Sequence, residues 1–298
     1  MLIANPRAGS VSSRTRDVIV RALQADFKLE AHETTRRDHA IELSAEAVDR
    51  GFDAVLAFGG DGTINEVAQP LVGTDVALGI LPGGSTNVMA RSLGMPTDPV
   101  EATSYVSQHL RRDTQRRIGV GQINERYFLF SAGIGLDAEV VRRVEEQQAR
   151  TGHKSDWVFL KHALAAGSTE YRGSEPWLTV KVGDEEFKGV LGICQNAWPF
   201  TYFKKWPFNA CPDARLDKRL DMLVFGRIRT ATIPRVVRSV FTQKAGHAHW
   251  KHNRYWHDVG DITWTATIPK PVQVDGDYLG NWTEARLTHI PHALELLS

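Results

Sequence analysis

Three short glycine-rich segments carry the residue types with which proteins bind phosphate groups. The segment 59–63 (GGDGT) follows the apolar run 54–58 and precedes a predicted helix at Ile64. Glycines at such a turn permit positive φ and a close approach of the backbone to a ligand. The N–H groups at the start of the next helix can then hold a phosphate, and Asp61 could orient a phosphate-bound Mg²⁺ or cap the turn. The alternative is that the segment is only a tight strand-to-helix turn, in which the glycines allow the backbone to bend and bind no ligand.

Two further polar loops are expected at the same edge of the sheet. Segment 5–9 (NPRAG) follows a short apolar strand at 2–4, and segment 82–87 (PGGSTN) follows another at 76–81. Parallel strands all end on one side of their sheet, so the three loops should converge on one crevice. The sequence contains no G-x-x-x-x-G-K-[ST] and no G-x-G-x-x-G after the first strand, which excludes a P-loop and leaves a Rossmann dinucleotide site unsupported. A nucleotide site of another kind is predicted.

The pattern of elements changes about a third of the way along the chain. Apolar strands alternate with helical periodicity over residues 1–110, which predicts an α/β domain with a parallel, doubly wound sheet. Strand-like, aromatic-rich segments follow, interrupted by predicted helices at 138–149 and 157–168, which indicates an antiparallel β-rich domain. We expect domains at 1–113 and 114–298, with the last residues returning to the first domain.

Composition limits the class of protein. The chain has 298 residues, of which 42% are hydrophobic and only two are cysteines, Cys194 and Cys211. Two cysteines provide neither a disulfide framework nor a thiolate zinc site. No apolar run approaches the roughly 20 residues that span a bilayer, and the first residues do not resemble a secretory signal. A cytoplasmic protein is expected.

Charge is concentrated in one part of the second domain. Residues 202–254 hold 12 lysines and arginines against three aspartates, which predicts an anionic partner. The overlapping segment 198–208 packs six aromatic residues and two lysines beside two prolines. Such a loop suits the interface of an anionic membrane, although the aromatic side chains could instead belong to the domain core. We expect residues 198–254 to face a membrane and expect no nucleic-acid partner, because no recognised nucleic-acid-binding fold accompanies the charge.

Other polar residues are interpreted as structural. His247, His249, His252 and His257 match no standard zinc spacing, so no metal site is expected among them. Asp137 begins a predicted helix after Gly133-x-Gly135, where an acidic residue favours the helix dipole.

Taken in order, the segments resemble a known family over essentially the whole chain. The resemblance rests on N-P-x-x-G at 5–9, G-G-D-G-T-I-N-E-V at 59–67, L-P-x-G-S-x-N at 81–87, G-x-G-x-D-A at 133–138 and V-D-G-D at 274–277. These look like the diacylglycerol kinase catalytic family, which includes bacterial lipid kinases, sphingosine kinases and ceramide kinases. NAD kinases carry a similar glycine loop.

The resemblance implies ATP and Mg²⁺ as cofactors and assigns roles to residues. The expected ATP-binding residues are Asn5, Pro6, Gly9, Thr34, Gly59, Gly60, Asp61, Gly62, Thr63, Ile64, Asn65, Glu66, Gly84, Ser85, Asn87 and Asp277. Asp275 matches the general base and Asp61 is the second expected catalytic residue, while Asp217 and Asp61 are the expected Mg²⁺ ligands. Asp275-Gly276 is also the sequence of a type I′ hairpin turn, and a turn can carry the base.

The chain departs from the family pattern near the expected metal ligand. Lys218 replaces the usual glycine after Asp217, and Ala214 stands where some members have a carboxylate. These changes concern the accessory Mg²⁺ more than the reaction itself.

The expected activity is transfer of the γ-phosphoryl group of ATP to a lipid hydroxyl at the cytoplasmic face of the inner membrane. Diacylglycerol or a related glycerolipid is the expected acceptor. The alternatives are an NAD kinase and a non-catalytic lipid- or nucleotide-binding relative. The sequence identifies neither the lipid nor the oligomeric state.

Overall fold

A computed structural model describes residues 1–151, 175–203, 205–227, 233–240 and 246–298. The chain divides into two compact units, one formed by Met1–Val120 with Ile290–Ser298 and the other by Gly121–His289. The division after Val120 lies beyond the expected boundary at 113/114. The predicted helix at 157–168 lies outside the described residues. No helix in the described ranges has the length and apolar character that a membrane crossing requires.

The first unit alternates strands with helices. Its strands are β1 (Leu2–Ala4), β2 (Ala31–Glu33), β3 (Ala54–Gly59) and β4 (Ala77–Pro82). Its helices are α1 (Ser13–Gln24), α2 (His39–Asp49), α3 (Asp61–Leu71), α4 (Val88–Ser92) and α5 (Pro99–Arg112).

The four strands form a parallel sheet in the order β4-β3-β1-β2. Every residue of β3 and β4 is buried, as expected for parallel strands that are covered on both faces. Helix α2 packs on α3, and α1 packs on α5. The parallel order places the loops after β1, β3 and β4 at one edge of this sheet.

The end of the chain belongs to the first unit. Strand β16 (Asp277–Leu296) brings Leu296 into parallel register with Leu78 of β4, and the Leu297 amide donates to the Leu78 carbonyl at 3.0 Å. Arg117, near the start of β5 (Arg116–Ile123), forms an ion pair with Glu295 at 2.5 Å. These contacts explain why residues up to Val120 and the C-terminus group with the first unit.

The second unit is rich in antiparallel strands. Its remaining strands are β6 (Arg126–Phe128), β7 (Ser131–Ile134), β8 (Leu178–Val182), β9 (Glu185–Gly189), β10 (Leu191–Gln195), β11 (Thr201–Phe203), β12 (Trp206–Phe208), β13 (Leu220–Phe225), β14 (Asn253–Val259) and β15 (Asp261–Val274). The described residues of this unit also form the helices α6 (Leu136–Thr151) and α7 (Ile233–Val240) and a 3₁₀ turn (Gly246–His249).

The main antiparallel sheet of this unit has the order β14-β13-β10-β7-β15-β16. Its core includes the fully buried Trp264 and Phe128 together with aliphatic side chains of β7, β8, β13 and β15. The expected fold class, a parallel α/β first part followed by an antiparallel β-rich part, is confirmed.

Candidate active site

Main-chain hydrogen bonds bring the three glycine-rich loops of the first unit together. The Gly83 amide donates to the Gly59 carbonyl at 2.7 Å, and the Ser10 amide donates to the Gly83 carbonyl at 2.9 Å. Asn5 completes the contact between the first two loops, because its Nδ2 donates to Thr63 Oγ1 at 3.0 Å. The convergence of the three loops that was predicted from the parallel order of the strands is therefore observed.

Glycine is required where the second and third loops meet. A Cβ on Gly84 would lie 2.8 Å from Gly60 Cα, and a Cβ on Gly59 would lie 2.6 Å from the Thr63 side chain. Contacts this short force a shift of the backbone, so larger residues would separate the loops. Gly60 is also the N-cap residue of α3 and has no side chain to cap it. The start of α3 therefore has no side-chain cap from its N-cap residue, as in phosphate-binding turns.

The Asp61 carboxylate caps the short helix α4. Its Oδ2 accepts a hydrogen bond from the Val88 amide at 3.0 Å, and its Oδ1 accepts one from the Met89 amide at 3.1 Å. The sequence left two roles open for Asp61, orienting Mg²⁺ or capping the turn. The structure shows capping, but of helix α4, which follows the third loop. Asp61 therefore joins the second loop to the third.

Asn87 holds the third loop in shape. It has a left-handed backbone conformation (φ 49°), its Oδ1 accepts from the Gly84 amide and its Nδ2 donates to the Gly84 carbonyl, both at 2.9 Å. Ser85 lies at the exposed tip of this loop. Pro6 and Gly9 are exposed on the first loop. These last three residues remain accessible to a ligand.

Four of the expected ATP-binding residues are buried in the first unit or hydrogen-bonded to its backbone. Ile64 and Asn65 are completely buried, and Thr34 is largely buried, with its amide bonded to the Ala4 carbonyl at 2.9 Å. Glu66 caps α2, since its two carboxylate oxygens accept from the Asp38 and Ala40 amides at 3.1 and 3.2 Å.

In the second unit, Asp275 occupies the tip of the β15–β16 hairpin. Asp275 and Gly276 have φ of 48° and 83°, and Val274 pairs with Asp277, which is the geometry of a type I′ turn. The expected turn is therefore present. Asp277 begins β16 on the far side of it.

Three main-chain amides hold the Asp275 carboxylate. Oδ2 accepts from Leu129 at 2.7 Å, and Oδ1 accepts from Phe130 and Ser131, each at 2.9 Å. Asp275 is 3% exposed. Amide donors favour the ionised form of a carboxyl group and fix its direction. The sequence could not show these donors, because they lie about 145 positions earlier in the chain.

A second carboxyl group supports the same hairpin. Asp137, at the start of α6, is partly exposed as a residue, but its Oδ1 is buried and its Oδ2 accepts from Gln273 Nε2 at 3.1 Å. Burial raises the pKa of Asp137 to about 6, against the opposing hydrogen bond from Gln273. Sequence reasoning treated Asp137 as a helix-start residue and missed Gln273, whose only signal was its place two residues before Asp275.

The expected metal segment does not gather its acidic residues around Asp217. Asp217 is exposed, and Asp213 and Asp221 both accept a hydrogen bond from the Tyr255 hydroxyl. Asp221 is fully buried and also contacts His257 Nδ1 at 2.8 Å. Across the ranges that the structure describes, no three His, Cys, Asp or Glu residues are grouped as a metal ion would require.

His247 serves the core of the second unit. Its Nε2 lies 3.0 Å from the Ala210 carbonyl, its Nδ1 lies 3.0 Å from Ser239 Oγ, and its ring stacks on Phe225. Burial lowers the pKa of His247 to about 4, so the ring is neutral near pH 7.

The chain is similar in sequence to diacylglycerol kinases. Residues 1–123 match the family model of the diacylglycerol kinase catalytic domain. A diacylglycerol kinase from Staphylococcus haemolyticus (strain JCSC1435) is 32% identical over 297 residues, which cover 94% of this chain and 82% of that protein. The diacylglycerol kinase of Bacillus subtilis (strain 168) is 37% identical over 144 residues, a match that spans 46% of that protein and 47% of this chain.

Solved structures share the fold. A diacylglycerol kinase from Bacillus anthracis str. Sterne has a TM-score of 0.72 at 20% identity, covering 99% of this chain and 95% of that one. An NAD kinase from Archaeoglobus fulgidus, solved in complex with ATP, has a TM-score of 0.54 at 10% identity, covering 100% of this chain and 92% of that one. At these identities the likeness concerns the fold alone.

The contact between Gly60 and Gly84 predicts the effect of a single methyl group. We expect Gly84→Ala to weaken ATP binding at least tenfold, because the new Cβ would push the third loop away from the second. Gly246→Ala is the matched control, since a Cβ there meets nothing closer than 4.0 Å. Isothermal titration calorimetry with ATP checks the prediction, and equal affinities for the two variants would contradict it.

The raised pKa of Asp137 predicts a pH dependence of stability. The folded protein holds this proton more tightly than the unfolded chain, whose carboxyl pKa is near 3.8, so the free energy of unfolding should fall as pH rises from about 4 to 6. Asp137→Asn removes this contribution, and the variant should gain up to roughly 3 kcal/mol on the wild type across that window. Urea unfolding at four pH values measures it, with exposed Asp184→Asn as the control. Parallel pH curves for wild type and Asp137→Asn would show that the carboxyl group has an ordinary pKa.

Proposed function

The chain belongs to the diacylglycerol kinase family, and from this premise we propose that it transfers the γ-phosphoryl group of ATP to a lipid hydroxyl. Diacylglycerol or a related glycerolipid is the proposed acceptor. The observation that carries the proposal is the convergence of three glycine-rich loops at the start of α3, where Gly59 and Gly60 contact Gly83 and Gly84. Glycine-rich loops beside the uncapped start of a helix suit the phosphates of a nucleotide.

We propose that the first unit binds ATP by its backbone. Phosphoryl transfer needs little covalent chemistry from the protein beyond positioning and charge stabilisation. The amides at the start of α3 would contact the phosphates, and Ser85, at the exposed tip of the third loop, would add a hydroxyl. Asp61 would act by holding the second and third loops at a fixed separation.

We propose that Asp275 is the general base that accepts the proton of the lipid hydroxyl. The three amides that hold its carboxylate fix the direction of the group. The type I′ turn, for which Asp-Gly is a preferred sequence, places this carboxylate at the tip of the hairpin.

Magnesium enters the proposal with the nucleotide. We propose Mg²⁺·ATP as the phosphoryl donor, since kinases neutralise the phosphate charge with a divalent cation. The residues near Asp217 do not fit a preformed metal centre, because Asp217 is exposed beside Lys218 while Asp213 and Asp221 are engaged by Tyr255. We therefore derive no step through a metal ion held at Asp217.

The membrane is the proposed partner of the aromatic segment. Strands β11 and β12 form a hairpin in which Phe200 packs against Phe208, with ring centroids 5.9 Å apart, while Trp206 near the tip is 66% exposed. Lys205 beside it is also exposed. A tryptophan and a lysine in this arrangement match the chemistry of an anionic lipid interface. Parts of the basic stretch 202–254 lie outside the described residues, so the proposal depends on this hairpin.

The kinase proposal predicts a specific loss on changing Asp275. Wild-type protein with labelled ATP and Mg²⁺ should transfer phosphate to one of diacylglycerol, phosphatidylglycerol, ceramide or sphingosine in mixed micelles. Asp275→Asn should lower turnover at least a hundredfold, the usual scale of general-base catalysis, while ATP affinity stays within threefold. Circular dichroism verifies folding, because an amide would face one of the three main-chain donors. Label on soluble NAD alone would favour an NAD kinase, and no label with retained ATP binding would favour a non-catalytic relative.

Membrane docking predicts a separate effect. Trp206→Ala should weaken binding to phosphatidylglycerol vesicles about tenfold, because one large apolar side chain no longer enters the interface. Val100→Ala, which removes an exposed apolar residue on α5, is the control. Vesicle co-sedimentation measures the affinity of both variants for the vesicles. Phosphatidylcholine vesicles, which have no net charge, show how much of the binding depends on the anionic headgroup. Wild-type affinity in Trp206→Ala would exclude the hairpin as the docking element.

A further inference from the structure

The Gln273 side chain connects Asp137 to the turn that carries Asp275. Its Nε2 donates to Asp137 Oδ2 at 3.1 Å, and its Oε1 accepts from the Gly276 amide at 2.9 Å. Gln273 is 1% exposed. A continuous chain of two hydrogen bonds therefore runs from the start of α6 to the central peptide of the Asp275-Gly276 turn.

The Asp137 carboxylate and the Gly276 amide both favour the same orientation of the Gln273 side-chain amide. An ionised carboxylate only accepts hydrogen bonds, so Nε2 must face Asp137 and Oε1 must face the Gly276 amide. The reverse orientation would set an oxygen against the carboxylate and an N–H against another N–H. A carboxylate at position 137 thus favours the orientation in which Gln273 Oε1 accepts a hydrogen bond from the Gly276 amide of the turn.

The fold makes room for this carboxylate. Gly133 pairs with Gln273 across strands β7 and β15, and a Cβ on Gly133 would overlap Asp137 Oδ2. Any larger residue at position 133 would displace the Asp137 side chain from Gln273. Packing therefore links the first glycine and the aspartate of the G-x-G-x-D segment, because only glycine at position 133 leaves room for the Asp137 side chain.

Helix α6 also reaches the other side of the turn. Glu145 accepts a hydrogen bond from the Tyr278 amide at 2.9 Å, just after Asp277. Besides backbone amides at the start of its own helix, Asp137 contacts the Gln273 side chain of β15. The contacts of α6 are directed at the hairpin.

We propose that Asp137 is a positioning residue for Asp275. It orients the Gln273 amide, Gln273 holds the Gly276 amide, and the turn keeps the Asp275 carboxylate under its three main-chain donors. The meaning of this arrangement for catalysis rests on the proposed role of Asp275 as the general base. The hydrogen-bond chain itself does not depend on that role.

The first test measures the turn without using activity. In protein labelled with ¹⁵N-glycine, the Gly276 amide should exchange with water at least tenfold faster in Asp137→Ala than in the wild type. Val180→Ala is the control, because it truncates a fully buried residue of the same unit that pairs with Trp264, well before the turn on β15. Unchanged Gly276 exchange in Asp137→Ala, or equal acceleration in Val180→Ala, would overturn the proposal.

The second test exchanges donor and acceptor. Gln273→Glu sets two carboxylates against each other and should lower kcat at least tenfold, with KM for ATP within twofold of wild type. Adding Asp137→Asn supplies a donor to the new carboxylate at position 273, whose other oxygen can still accept from Gly276, so the double variant should recover most of kcat. A double variant no better than Gln273→Glu would overturn the proposal, because two residues joined by the proposed hydrogen bond should show coupled effects on kcat.

The two tests distinguish a failure of the kinase proposal from a failure of the positioning role of Asp137. If wild-type protein phosphorylates no acceptor while Gly276 exchange still depends on Asp137, the kinase proposal fails and the positioning contact stands. If Asp275→Asn abolishes lipid phosphorylation while Asp137→Ala changes neither Gly276 exchange nor kcat, the positioning role fails and the general base stands.

Discussion

The hydrogen bond from the Gly83 amide to the Gly59 carbonyl sets the separation of the two loops on which the first unit depends. At this separation a Cβ on Gly84 would lie 2.8 Å from Gly60 Cα, so a side chain at position 84 would force the backbone to move. Main-chain amides at such a helix start can hold an anion without a charged residue. Asp61 then maintains the geometry by capping the helix that follows the third loop.

Several acidic side chains of this protein act on main-chain amides. Asp61 and Glu66 each accept two amide hydrogen bonds in the first unit, and Asp275 accepts three in the second. A carboxylate used in this way satisfies donors at helix starts and turns, where no regular partner exists. The negative charges therefore give rigidity to loops that carry no regular secondary structure.

The hairpin of the second unit shows how a strained position is maintained. Asp275 has a left-handed backbone conformation, which is costly for a residue other than glycine, and it is almost fully buried. The amides that hold its carboxylate and the Gln273 acceptor that holds the next peptide offset that cost. By contrast, Asp217 has an exposed side chain between basic neighbours, and the buried acid of its segment is Asp221.

The sequence by itself determined the change from alternating strands and helices to a β-rich part, the three glycine-rich loops and their convergence, because apolar runs, glycines and a parallel sheet are local or topological signals. It also predicted the type I′ turn at Asp275. Only the tertiary structure decided what the acidic residues contact. Asp61 meets amides 27 and 28 positions away, and Asp275 meets amides 144 to 146 positions away. Such partners are set by how distant strands come into register, and no local spacing encodes them.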